Sequence, residues 1–106
     1  MSEWVEVAAA DEFPPGSRQV VETLDAEILV VNLEGSFHAV NNICTHMHAE
    51  LSEGELEDGE VVCPLHSAHF DLRTGEALTP PAFEALETFP VKVENGMVLV
   101  RDEPDE

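Results

Sequence analysis

Asn42-Ile43-Cys44-Thr45-His46 and Cys63-Pro64-Leu65-His66 decide how this 106-residue chain is read. Residues 47–62 lie between them, so sixteen residues separate His46 from Cys63. Each stretch offers one thiolate and one imidazole. Each follows a run of strand character, Phe37–Asn41 before the first and Val61-Val62 before the second. Two strand-end loops lying side by side would present four donors to one inorganic centre. Cys44 and Cys63 are the only cysteines. Either alone reads first as a core thiol; pairing with a histidine, twice over, points to a metal.

Outward from these stretches the chain reads as short strands separated by turns. Trp4–Val7, Gln19–Thr23, Ile28–Leu33 and Phe37–Asn41 come first, with Asp25-Ala26 near one turn and Glu34-Gly35 at another. Phe70–Leu72 leaves the second cysteine stretch. Phe89–Val93 and Met97–Val100 flank Asn95-Gly96, a strong hairpin signal because both residues tolerate positive φ. Val91 and Val93, then Val98 and Val100, alternate as half-buried strands do. Only Asp11–Phe13 and Ala82–Leu86 suggest single helical turns. Many short strands at close spacing predict an all-β fold, an antiparallel sandwich or barrel.

The length suits one domain with a modest core, which a metal site would help to stabilise. A hydrophobic content of 43% excludes wholesale disorder. Met1-Ser2-Glu3-Trp4-Val5-Glu6 has neither the basic start nor the apolar run of a signal peptide, and no stretch approaches the roughly 18–20 apolar residues of a membrane span. The expectation is a soluble cytoplasmic protein without membrane contact, in which a disulfide is not expected. Four basic residues against 23 acidic ones leave a net charge of -19. Such a surface repels nucleic-acid phosphates and favours a partner with a basic docking patch. Adaptation to high salt produces the same composition, and Lys92 is the only lysine. Asp102-Glu103-Pro104-Asp105-Glu106 reads as an acidic tail (102–106) after a single domain over 1–101. There is no nucleophile–base pair and no phosphate-binding glycine loop.

Two cysteines and two histidines admit tetrahedral zinc. Structural zinc sites usually pair like ligands, however, whereas each stretch here mixes Cys with His. A mixed pair suits a dinuclear centre in which both cysteines hold one iron and both histidines the other, the division found in Rieske centres.

The four-residue pattern and its flanks resemble the Rieske-type [2Fe–2S] ferredoxins of bacterial ring-hydroxylating dioxygenase systems. The similarity runs through Leu51-Ser52-Glu53-Gly54, Phe70-Asp71-Leu72-Arg73-Thr74-Gly75-Glu76-Ala77 and Phe89-Pro90-Val91-Lys92-Val93-Glu94-Asn95, from about Trp4 to Val100. It implies an antiparallel β-sandwich with a small cluster-binding subdomain, whose loops span about 42–80. It implies one [2Fe–2S] cluster per chain on Cys44, His46, Cys63 and His66, and a proline loop, here Thr79-Pro80-Pro81, over that cluster. The implied role is one-electron transfer from a flavin-dependent reductase to a terminal oxygenase, without catalysis by the chain itself. A small Rieske-like subunit of a nitrite reductase is the second reading, and a zinc-stabilised interaction module the third.

Two departures stand out. Ser67 takes a place where such proteins usually have glycine. Unlike the respiratory-complex branch, this chain has no extra cysteine pair, and Ala68 and Phe70 replace the serine and tyrosine that donate to cluster sulfurs. Two ferric ions, two sulfides and two thiolates sum to zero with neutral histidines. Rieske potentials therefore run from roughly -150 to +300 mV, against about -400 mV for plant-type ferredoxins. Without the two hydroxyls the potential is expected near the low end. His46 and His66 would provide the electron's exit. His48 and His69 read as solvated loop histidines, His38 as an exposed strand residue, and Trp4 and the phenylalanines as core. Asp71 and Arg73 read as partners in an ordinary turn.

Overall fold

The computed structural model describes residues 4–23, 27–43, 50–57, 59–63, 68–79 and 85–101. Among the described residues the regular structure is antiparallel strand with two short 3₁₀ turns. Strands β1 (Trp4–Ala9), β2 (Arg18–Glu22), β3 (Glu27–Leu33) and β4 (Ser36–Asn41) precede a small group of β5 (Leu56–Glu57), β6 (Glu60–Val62) and β7 (His69–Asp71). Strands β8 (Thr88–Phe89), β9 (Val91–Glu94) and β10 (Met97–Arg101) complete the chain. They form three sheets, ordered β1-β10-β9, β2-β3-β4-β8 and β5-β6-β7.

Strand β3 organises the core. Ile28, Leu29, Val30 and Val31 are all fully buried, as a continuous apolar run requires of a strand covered on both faces. Alternation sends them to opposite sides. Ile28 and Val30 pack with Val7, Val98, Val100 and Phe89, towards the β1-β10-β9 sheet. Leu29 and Val31 pack with Leu51, Val61, Cys63, Ala68, Phe70 and Leu72, towards the β5-β6-β7 unit. The central sheet thus shares one core with each of the other two. Each such aliphatic side chain contributes about 1.5–3 kcal/mol by leaving water.

Most predicted strands stand within a residue or two. The run Phe89–Val93 is instead two strands. Pro90 separates β8, which pairs with β4, from β9, which pairs with β10. A residue without an N–H cannot continue a ladder, so the chain changes sheets there. Strand β5 and the 3₁₀ turn Leu51–Glu53 carry too few residues to show a period. The helical turn expected at Asp11–Phe13 is present at Ala10–Glu12. Of the one expected at Ala82–Leu86, residues 82–84 lie outside the described residues, and Ala85 and Leu86 are not helical. Trp4 does not join the core: it is 37% exposed, beneath Lys92 Nζ at 4.3 Å and Arg101 Cζ at 5.5 Å from its ring centre. Phe13, Phe70 and Phe89 are core residues as expected. Val93 is 48% exposed and not half-buried.

Two hairpins turn on left-handed pairs, Asn95-Gly96 (φ 53° and 77°) and Glu34-Gly35 (φ 51° and 98°). The left-handed conformation costs a residue bearing a Cβ about 1–2 kcal/mol, of which glycine's extra chain entropy returns part. Glu34→Gly should therefore raise stability by about 0.5–1 kcal/mol, read as a higher urea midpoint at unchanged slope.

Candidate metal centre

Two stems carry the cysteine–histidine stretches. Strand β4 runs into the first, and an antiparallel bridge between Ile43 and Glu50 spans residues 44–49. Strand β6 runs into the second, where the Cys63 N–H donates to the Ala68 carbonyl at 2.8 Å across residues 64–67. Of the four predicted ligands only Cys63 is among the described residues. Cys44, His46 and His66 lie outside them, as do His48, Ser67, Pro80 and Pro81.

The stems are bound together. The Leu51 N–H donates to the Asn42 carbonyl at 2.7 Å, and the Ser52 N–H to Asn42 Oδ1 at 2.8 Å. Asn42 is fully buried and also donates through Nδ2 to Glu27 Oε2 at 2.5 Å. Just beyond, the Val62 N–H donates to the Glu55 carbonyl at 2.9 Å. Gly54 lies directly on Val62, where a Cβ would collide with the Val62 carbonyl oxygen. Arg18 Nη1 of β2 donates to the Gly54 carbonyl. The return from the first stretch is thereby seated on the strand that enters the second.

Cys63 suits a soft metal centre. Its thiol is unbridged and fully buried beside Leu51, Val61, Ala68 and Phe70. Among the described residues no three His, Cys, Asp or Glu side chains gather as a metal site. Ala68 and Phe70 are both fully buried, and neither side chain carries a hydroxyl.

Two histidines differ from expectation. His69 is a half-buried strand residue: its Nδ1 lies 2.8 Å from Glu60 Oε1, and its N–H donates to Thr79 Oγ1 at 2.9 Å. A cross-strand partner on β6 holds it, which the loop reading missed. His38 is partly buried on β4, and burial, reinforced by the nearby Arg73 charge and opposed by Asp71, holds its pKa below the usual 6.5. Asp71 Oδ1 accepts the Arg73 N–H at 2.7 Å, the turn contact expected. A crowded carboxylate group at the first stem had no signal in the sequence, because Glu27 lies far from Glu50 and Glu53 in the chain. Glu27 above all, with slight desolvation and Glu53, raises the Glu50 pKa above its usual range.

The Rieske [2Fe–2S] domain family matches residues 3–90. The chain is 40% identical over 100 residues, 94% of its length and 96% of the relative's, to the ferredoxin component of the naphthalene 1,2-dioxygenase/salicylate 5-hydroxylase systems of Ralstonia sp. Its fold superposes with a TM-score of 0.93, at 34% identity and covering 97% of this chain and 96% of the other, on a chain of the complex of reduced oxygenase and oxidized ferredoxin in carbazole 1,9a-dioxygenase. The ferredoxin of carbazole 1,9a-dioxygenase from Nocardioides aromaticivorans IC177 follows at 0.86, with 32% identity and coverage of 92% and 95%. No helix among the described residues is long and apolar enough to cross a membrane.

Gly54→Ala should cost at least ~2 kcal/mol, because backbone, not a movable side chain, occupies the space its Cβ needs. Thermal unfolding reads that loss. The folded chain resists protonation of His38, whereas the unfolded chain accepts it near pH 6.5. The resulting stability is complete above pH 6.5 and lost as pH falls through the folded value. His38→Asn should flatten the dependence of the urea midpoint on pH between about 7 and 5.

Proposed function

Because the chain belongs to the Rieske [2Fe–2S] domain family, we propose that it is the one-electron carrier of a ring-hydroxylating oxygenase system. It would take electrons from a flavin-dependent reductase and deliver them to a terminal oxygenase, with no catalysis of its own. Cys44, His46, Cys63 and His66 hold the cluster in this reading. The observation that carries it is the buried Cys63 thiol at a strand end, on a stem joined to the one that bears Cys44 and His46. Similarity over nearly the whole length to a dioxygenase ferredoxin component supports the same role.

A bound [2Fe–2S] centre supplies a site that gains and loses one electron. The protein's part is ligation, enclosure and docking. Leu51, Val61, Ala68 and Phe70 exclude water from the Cys63 side. The Cys63 N–H is engaged by the Ala68 carbonyl, and residues 68 and 70 carry no hydroxyl. Among the described residues few donors are thus left on this side to stabilise added negative charge, which favours a low potential. Glu27, Glu50 and Glu53, crowded at the first stem, suit a basic docking surface on a partner.

Anaerobically purified protein should contain two irons and two acid-labile sulfides per chain. Its reduction potential should lie near the low end of the Rieske range, roughly -150 mV; a value above zero would contradict the hydroxyl argument. A flavin-dependent reductase with NADH should bleach its visible spectrum, and a terminal oxygenase should restore it. Purification in fixed stoichiometry with a large reductase subunit would favour the nitrite reductase reading instead.

A further inference from the structure

We propose that a groove remote from the ligand loops binds a small organic carboxylate with an apolar body. The groove, open to solvent on one side, has a volume of about 530 Å³, and its lining includes Leu33, Leu56, Glu34, Gly59 and Arg73. That volume falls in the range of small-molecule sites, roughly 300–1,000 Å³. Topology sets it apart from the proposed cluster. The β3–β4 turn at Glu34-Gly35 lies at the end of β4 away from residues 44–49, and Gly59 at the end of β6 away from Cys63. A ligand here would leave the electron-transfer face open.

Arg73 identifies the ligand's charge. In a chain of 23 acidic residues, its guanidinium has no hydrogen bond or ion pair with any described residue. Glu34 lines the same groove without forming an ion pair with it. Asp71, two residues before, uses Oδ1 on the Arg73 N–H. A planar guanidinium fork that no described acceptor engages can hold a carboxylate by two parallel hydrogen bonds.

The seat is also built in advance. Gly59 has φ +81°, and a Cβ there would come within 2.6 Å of Arg73 Nη1, so the guanidinium lies against bare backbone. The Leu72 N–H donates to the Gly59 carbonyl at 3.0 Å, holding the two walls together. On the opposite wall Asn32 is buried, donating to the Phe13 carbonyl at 2.7 Å and accepting the Gly35 N–H at 2.8 Å. Fixed walls reduce the entropy lost on binding. Leu33 and Leu56 then offer apolar surface to the body of the ligand.

Benzoate is the probe, titrated into the complete, cluster-loaded protein and followed by amide chemical shifts. The amides of Leu33, Leu56, Gly59 and Arg73 should shift in a saturable manner. Benzyl alcohol, which lacks the charge, should not shift them, and sodium sulfate, which lacks the ring, should bind at least tenfold more weakly. Arg73→Gln should weaken benzoate binding by roughly tenfold or more, the loss of about one charge-assisted pair, while leaving the reduction potential unchanged. Absence of saturable shifts, equal response to benzyl alcohol, or unchanged binding by Arg73→Gln would overturn the proposal. The comparison of benzoate with benzyl alcohol uses the unaltered protein, so it stands even if the variant folds poorly. The binding comparisons do not depend on the electron-carrier role.

Discussion

The seam between Gly54 and Val62 is the constraint on which the site depends. Backbone meets backbone there with no room for a methyl group. Around it, Arg18 reaches the Gly54 carbonyl, the Glu55 carbonyl accepts the Val62 N–H, and Asn42 receives the amides of Leu51 and Ser52. These contacts bring the two stems to one place before any ligand residue is reached. They also link the stems to the main sheets: β2 supplies Arg18, and β3 supplies Glu27 to Asn42. Preorganisation of this kind would let donors from two distant stretches meet a centre without ordering the stems at that moment.

Strand β3 gives the seam something rigid to stand on. Because its side chains are buried alternately in two separate cores, the small β5-β6-β7 unit and the β1-β10-β9 sheet are packed on opposite sides of one element. The unit that carries Cys63 is too small to fold on its own core, since two- and three-residue strands bury little surface. It draws its stability from Leu29, Val31 and Val40 of the main sheet.

Much of this was legible in the residues. The apolar run Ile28–Leu33, the Asn95-Gly96 turn and the alternation at Val98 and Val100 are local patterns, and each marks its element within a residue or two. The mixed Cys–His stretches marked two candidate ligand loops, because their spacing and residue types are chemically specific, and of their four residues Cys63 alone is described. What escaped was non-local. The role of Gly54 depends on a strand eight residues away, and the partner of His69 lies across a ladder on Glu60. Phe89–Val93 read as one strand across Pro90, and the change of sheet at that point is decided by pairing partners that a local pattern does not show. Trp4 at the end of its strand satisfied a hydrophobic count while stacking under two cations at the surface.

The central claim is that two mixed sulfur–nitrogen clamps hold one diiron centre. Pulsed paramagnetic resonance on the dithionite-reduced protein tests it directly. With histidine labelled by ¹⁵N, the account predicts strong couplings to two inequivalent imidazole nitrogens, reduced to one coupling in His46→Cys and in His66→Cys. A reduced centre without directly coordinated histidine nitrogen, or one whose couplings survive both replacements unchanged, would contradict it.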